Sequence, residues 1–159
     1  MRVIRGIKQM SDFSKKIRLG QETLGFVPTM GALHEGHFSL IRQARKENDI
    51  VAVSIFVNPA QFGPKEDFKR YPRNLKQDVN LCKDAGVDII FYPEVRDIYP
   101  AGFKTNVFVL DLSDVLCGKF RPGHFKGVAT VVTKLFNIVN PDIAYFGQKD
   151  AQQAIIIKK

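Results

Sequence analysis

Residues 25–45 read GFVPTMGALHEGHFSLIRQAR, and the pattern changes character partway along. A β-prone apolar run, Leu24 to Pro28, ends in a turn around Gly31. A helical pattern then starts near Glu35 or Gly36, with His37, Leu40, Ile41 and Ala44 on one side. Strand, glycine turn and helix in that order are what an α/β protein with a parallel sheet requires. The histidines of the turn, His34 and His37, raise the question of zinc. Their spacing is three rather than the four of an H-E-x-x-H helix. The third histidine, His124, lies far away with no Cys or acidic set around it, so the pattern argues against catalytic zinc.

The same alternation continues along the chain. DIVAVSIFV (49–57), VDIIFYP (87–93), TNVFVLDL (105–112) and DIAYFG (142–147) read as further strands. RNLKQDVNLCKDAG (73–86) reads as a helix with Leu75, Val79 and Cys82 inward and Gly86 as its stop. Val128, Val131, Val132, Leu135, Phe136 and Val139 mark another, ended by Asn140-Pro141. These strand runs are too continuously apolar to have a wet face, which predicts a parallel sheet covered on both sides. The expected fold is α/β, doubly wound and Rossmann-like, in one domain over 1–159. Residues 59–73 hold three prolines and mixed charge, a long connection of the kind that carries function. DAQQAIIIKK starts like a helix after Asp150 and runs out on apolar residues without a cap.

The 159 residues suit one domain, and 45% apolar content is enough for a core. A net charge of +8 is compatible with nucleic acid, an anionic surface or small anions such as nucleotides. The basic residues are spread along the chain, with short clusters at Lys65 to Arg73, which reads as a solvated face, and at Lys119 to Lys126, rather than gathered in a long arm, so a nucleic-acid partner is not expected. Cys82 and Cys117 form no C-x-x-C pair and read as reduced, buried thiols. No stretch approaches the roughly 20 apolar residues of a membrane span, so a soluble, cytoplasmic protein is expected.

In an open parallel sheet, ligands sit outside the carboxyl ends of the strands. Two segments fit that place. In VPTMGALHEGH (27–37), Gly31 allows close backbone approach, helix N-terminal N–H groups face outward, and the imidazoles can donate to phosphate oxygens. In YFGQKDAQQ (145–153), Lys149 offers a point charge, and Asp150 is either a helix N-cap or an acceptor for a ribose hydroxyl. Gln61 and Gln153, beside apolar Pro28, Met30 and Phe62, suit a small polar molecule with an apolar patch. Each glycine turn has a plainer reading as mere turn chemistry, and His124 reads more readily as a surface or capping histidine than as a catalytic one.

PTMGALHEGH resembles the His-x-Gly-His signature of the nucleotidyltransferase superfamily, which includes the class I aminoacyl-tRNA synthetases. Together with VSIFVNPAQF, YPR, RPGHFKGVATVVTKLFNIVNPD and FGQKDAQQ, it resembles the pantoate–β-alanine ligase family along essentially the whole chain. That resemblance implies condensation of pantoate with β-alanine at the expense of ATP, with Mg2+, through an enzyme-bound pantoyl adenylate. It implies an ATP-binding segment at Met30, Gly31, Ala32, Leu33, His34, Glu35, Gly36 and His37. Within it, His34 and His37 lie near the phosphates, and His37 is the position usually named as proton donor. A second ATP segment would be Gly147, Gln148, Lys149 and Asp150. Gln61 would contact pantoate and β-alanine, and Gln153 pantoate. Asn58, Tyr71 and Arg121 fall within family motif blocks. No metal ligand is assigned, and a homodimer is implied.

The family continues with a Met-Ser-Ser-Arg loop and a smaller C-terminal domain that covers the site, and neither is in these residues. The expectation is therefore an N-terminal nucleotide-binding domain whose adenylate formation is impaired, because triphosphate clamping and water exclusion are both reduced. The rival readings are a related nucleotidyltransferase for another small acid or alcohol, and a binding-only module. A nucleic-acid binder comes third, without an aromatic-and-basic stripe to support it.

Overall fold

One parallel sheet of five strands organises the chain: β1 (Arg2–Ile4), β2 (Leu24–Thr29), β3 (Ile50–Ile55), β4 (Ile89–Phe91) and β5 (Ile143–Ala144), in the spatial order β1-β4-β3-β2-β5. The computed structural model describes residues 1–64 and 66–159. Between β1 and β2 lies α1 (Ile7–Leu19), between β2 and β3 α2 (Glu35–Glu47), and between β3 and β4 α3 (Leu75–Asp84). The single-turn helices α4 (Val95–Ile98) and α5 (Cys117–Phe120) precede the long α6 (His124–Val139), and α7 (Ala151–Lys158) follows β5.

Side chains alternate across a strand, so each strand feeds two cores. Leu24, Phe26, Ala52, Ile89 and Phe91 point to one face and pack with Met10 and Ile17 of α1 and Val128, Val131 and Leu135 of α6. Val27, Val51, Val53, Ile55 and Ile90 point to the other, against Ile41 and Ala44 of α2 and Cys82 of α3. The sheet is thus covered on both faces, as its apolar runs predict. Each fully buried Ile, Val or Phe contributes roughly 1.5–3 kcal/mol. Helix α6 ends where Asn140 adopts a left-handed conformation (φ 48°) before Pro141, the stop that its sequence signals.

Two stretches differ from the sequence reading. Residues 105–112 are not a strand. The Val107 N–H donates to Thr130 Oγ1 of α6 at 2.9 Å, and Val107, Val109 and Leu112 pack on Phe125, Ala129 and Ile156, so a helix face takes up the apolar alternation instead of a neighbouring strand. Strand β1 and helix α1 are the second difference, an edge strand and an amphipathic helix with no strong local signal. Both cysteines are free, but only Cys82 is buried, its thiol pushed up to about 12 by burial; Cys117 is exposed. Of the basic cluster at 65–73, Lys65 lies outside the described residues, while Lys69 and Arg70 are exposed. No helix among the described residues is long and apolar enough to cross a membrane.

The direction of winding places the site. From β2 the chain steps through α2 and α3 to β3 and β4 on one side, while β5 adds to β2 on the other. Strand order therefore reverses between β2 and β5, and their carboxyl ends diverge there, leaving a crevice.

Candidate functional site

A cleft of about 370 Å³ opens at that reversal. Pro28, Thr29 and Met30 at the end of β2 line it, with His34, Gly36 and His37 from the start of α2 and Gly147, Lys149 and Asp150 from the turn after β5. Phe56, Val128, Val131 and Leu135 make an apolar wall; Asn58, Gln61, Tyr71 and Gln153 add polar groups. Two turns more than 100 residues apart in sequence thus converge on one space. A second crevice, of about 410 Å³, lies across Met30 and is lined by Arg5, Asp78 and Tyr92 among others; of the predicted residues only Met30 borders it.

The histidine turn is shaped by its own backbone. Gly31 (φ 84°) and Ala32 (φ 52°) are both left-handed, a conformation that glycine adopts freely and alanine only under constraint. Asp78 supplies the constraint. It is buried in α3, and its two carboxylate oxygens accept from the Ala32 and Leu33 N–H groups at 3.1 and 3.0 Å. The two histidines then cap α2 between them. His34 Nδ1 accepts from the Gly36 N–H at 3.1 Å and His37 Nδ1 accepts from the His34 N–H at 3.3 Å, with the rings 4.1 Å apart. Since a neutral imidazole carries one proton, accepting at Nδ1 leaves each ring with a donor at Nε2. Burial lowers the His37 pKa from its usual 6.5, and the nearby His34 and Lys149 lower it further, against opposing pulls from Asp78 and Asp150. At neutral pH His37 is therefore a neutral donor in the wall of the cleft.

The turn after β5 brings charge. Lys149 has no ion-pair partner among the described residues. Asp150 stands at the N-cap position of α7, yet its side chain makes no capping hydrogen bond, so its carboxylate is left over for something else. It is the sole acidic residue lining the cleft among the described residues. Gln61 is held on two sides: its Nε2 lies 3.1 Å from Met30 Sδ, and its Oε1 accepts from Asn58 Nδ2 at 3.1 Å. Asn58 is buried, and its remaining bonds go to the Gly127 carbonyl, the Ala60 N–H and the Tyr99 hydroxyl, whose pKa burial pushes up to about 12. Asn58 thus borders the cleft with its hydrogen bonds already committed.

Several predicted residues do not line the cleft. Gly31, Ala32 and Leu33 form the turn behind it. Glu35 pairs with Arg42, and Gln148 is exposed in the short turn Gln148–Asp150. Phe62 stacks edge-on against Phe68 and Tyr71, at 5.4 and 5.9 Å between ring centres, and supports Tyr71 rather than facing the space. Arg121 forms a two-pronged pair with Glu66, and His124 is buried against it instead of lying on the surface. Asp78 is the residue that the motifs do not reveal; its signal is an acid in the inward stripe Leu75, Asp78, Val79, Cys82. No group of three or more His, Cys, Asp or Glu able to hold a metal occurs among the described residues.

The family model for pantoate-beta-alanine ligase matches residues 2–159. The pantothenate synthetase of Caldicellulosiruptor saccharolyticus is 60% identical over the whole of this chain, which spans 57% of that protein's length. A crystal structure of pantothenate synthetase from Thermus thermophilus superposes with a TM-score of 0.93 at 50% identity, covering 99% of this chain and 56% of that one. A crystal structure of the Francisella tularensis pantoate-beta-alanine ligase, complexed with beta-gamma ATP and beta-alanine, gives 0.93 at 47% identity, over 99% of this chain and 60% of that one. The chain thus spans between 56% and 60% of the length of these relatives, and with the family model matching nearly all of it, it belongs to the pantoate-beta-alanine ligase family.

Proposed function

We propose that this chain is the nucleotide-binding domain of an ATP-dependent ligase, and that the cleft between β2 and β5 takes ATP and pantoate to form pantoyl adenylate. The observation that carries the reading is the convergence of two Nε2–H imidazoles, an unpaired Lys149 and an uncommitted Asp150 on one crevice that also holds Gln61 and an apolar wall. The pantoate carboxylate attacks the α-phosphorus and pyrophosphate leaves; the β-alanine amine then attacks the acyl carbon and AMP leaves. Charge builds on phosphate oxygens in the first step, so fixed donors aimed at them lower the barrier more than a strong base would. His34 and His37 donate from Nε2, and Lys149 supplies positive charge. Asp150 accepts from a ribose hydroxyl, and Gln61 and Gln153 hold pantoate, whose apolar carbons lie on the wall of Val128 and Val131.

Mg2+ fits this site as a passenger of the nucleotide, because one free carboxylate is too few for a protein-held cage. When bound it neutralises phosphate charge. Among the described residues no nucleophilic Ser or Cys lines the cleft, which agrees with a mixed anhydride rather than an acyl-enzyme. A homodimer is part of the proposal, supported by exposed apolar side chains at Leu110, Leu116 and Phe120, which are 73%, 71% and 83% accessible. Exchange of labelled pyrophosphate into ATP tests the function. Exchange that requires pantoate and falls at least about 100-fold in His37→Ala supports it. Exchange that other small acids support equally well overturns it in favour of a related nucleotidyltransferase.

A further inference from the structure

His124, outside the cleft, is tied to Gln61, inside it. The ring Nδ1 lies 2.8 Å from the Gln61 carbonyl oxygen and Nε2 lies 3.0 Å from Arg121 Nη1. A guanidinium only donates, so Nε2 is the acceptor and the single ring proton sits on Nδ1, donated to Gln61. Arg121 is held in turn by Glu66, at 2.6 and 3.1 Å, and Glu66 also accepts from the Gly63 N–H at 2.9 Å. The bonds therefore run Gln61, His124, Arg121, Glu66, Gly63, and link the start of α6 to both sides of the segment after Gln61. The turn Pro59–Gln61 lies so close on α6 that a Cβ at Gly127 would stand 2.2 Å from the Ala60 carbonyl oxygen.

We propose that neutral His124 is a positioning residue that sets Gln61 in the cleft, and that a second proton on its ring turns the Arg121 contact from a hydrogen bond into two opposed donors, so that the ring moves off Arg121 and, still donating from Nδ1, draws the Gln61 carbonyl with it. A proton on Nε2 would face Arg121 Nη1 at 3.0 Å with no lone pair left between them. The groups around the buried ring pull in both directions: the bond to the Gln61 carbonyl favours the added proton, Arg121 opposes it, Glu66 and Asp150 favour it, and the Phe125 ring packs edge-on at 4.9 Å. Burial is the largest influence and favours the neutral ring. Binding by Gln61 then weakens in acid even though Gln61 itself does not titrate. This extends the proposed function, since the consequence for substrate rests on Gln61 contacting pantoate.

The test is nuclear magnetic resonance of the whole chain from pH 8 to 5, following the His124 ring nitrogens and the Gln61 backbone and side-chain amides. Nδ1–H at pH 8, with Gln61 signals that shift at the same midpoint as the ring, supports the proposal. His124→Asn keeps an N–H near the Nδ1 position and removes the titration, so the Gln61 signals should then hold still across the range. The wild-type titration needs no variant, so a misfolded His124→Asn would not obscure the answer. Gln61 signals that ignore the ring's midpoint, or Nε2–H at pH 8, overturn the proposal. Pantoate affinity read by calorimetry at pH 8 and 5.5 separates the two claims. A coupled titration without pantoate binding at either pH keeps the positioning role and sinks the proposed substrate; binding at pH 8 that weakens at least about fivefold at pH 5.5 supports both.

Discussion

At the scale of single residues, Asp78 carries more of the site than its position behind the histidine turn suggests. Both its oxygens accept backbone N–H groups from a turn that includes a left-handed Ala32, so the carboxylate holds a shape the turn would not keep unaided. Asp78→Asn puts an amide NH2 against one of those N–H donors and leaves it unsatisfied. It should cost about 2–3 kcal/mol, read as a lower urea midpoint, and should loosen the His34 and His37 pair. Half-buried His37 and buried His124 set the pH response. His37 and His124 both have pKa values below their usual 6.5, so the unfolded chain takes up protons there that the folded chain does not. Stability should be level above about pH 6.5 and fall as pH drops below it. A second decline should follow below the usual 4.5 of glutamate, because Arg121 holds the Glu66 carboxyl below that value. Thermal melts across pH 3 to 8 check both windows, and stability that rises on acidification from pH 6.5 contradicts the assignment of neutral imidazoles at His37 and His124.

At the scale of elements, the contact between the Pro59–Gln61 turn and α6 places the polar end of the cleft. Gly127 permits it: a Cβ there would meet the Ala60 carbonyl at 2.2 Å and the Gln61 nitrogen at 2.7 Å, both backbone atoms that cannot swing aside. Gly127→Ala should cost about 3 kcal/mol or more by chemical denaturation and should shift the Gln61 amide signals, although residue 127 lies in a helix that otherwise favours alanine. This is also where sequence reading reaches its limit. Strand β2 with its glycine turn, α3 with Gly86 and α6 with Asn140-Pro141 are all written locally, in apolar spacing followed by a stop. Strand β1 is three residues long, too short for alternation to show, and α1 opens at Gly6 without a side-chain cap. The alternation of residues 105–112 looks like a strand, but pairing is decided by what lies alongside, and here that is Thr130 of α6. The cleft-lining residues of both glycine turns were legible because chemistry and turn share one short stretch. The tie from His124 to Gln61 was not, because it joins positions 63 apart that only the folded chain brings together.

At the scale of the whole molecule, a sheet whose strand order reverses between β2 and β5 makes one crevice from two distant turns, and the proposed reaction draws on both. The apolar side chains left exposed along 108–120 bear on assembly. Sedimentation should show a dimer that Leu110→Asp shifts toward monomer, and a wild-type monomer at every accessible concentration would remove the dimer from the proposal. Calorimetric titration of this chain with pantoate, beside Gln61→Ala, decides whether the cleft takes pantoate through Gln61. Saturable binding that weakens at least about tenfold in the variant, or ~1.4 kcal/mol, is the predicted result. A chain that binds MgATP but gives no pantoate binding, or binds pantoate equally well without the Gln61 side chain, would contradict it.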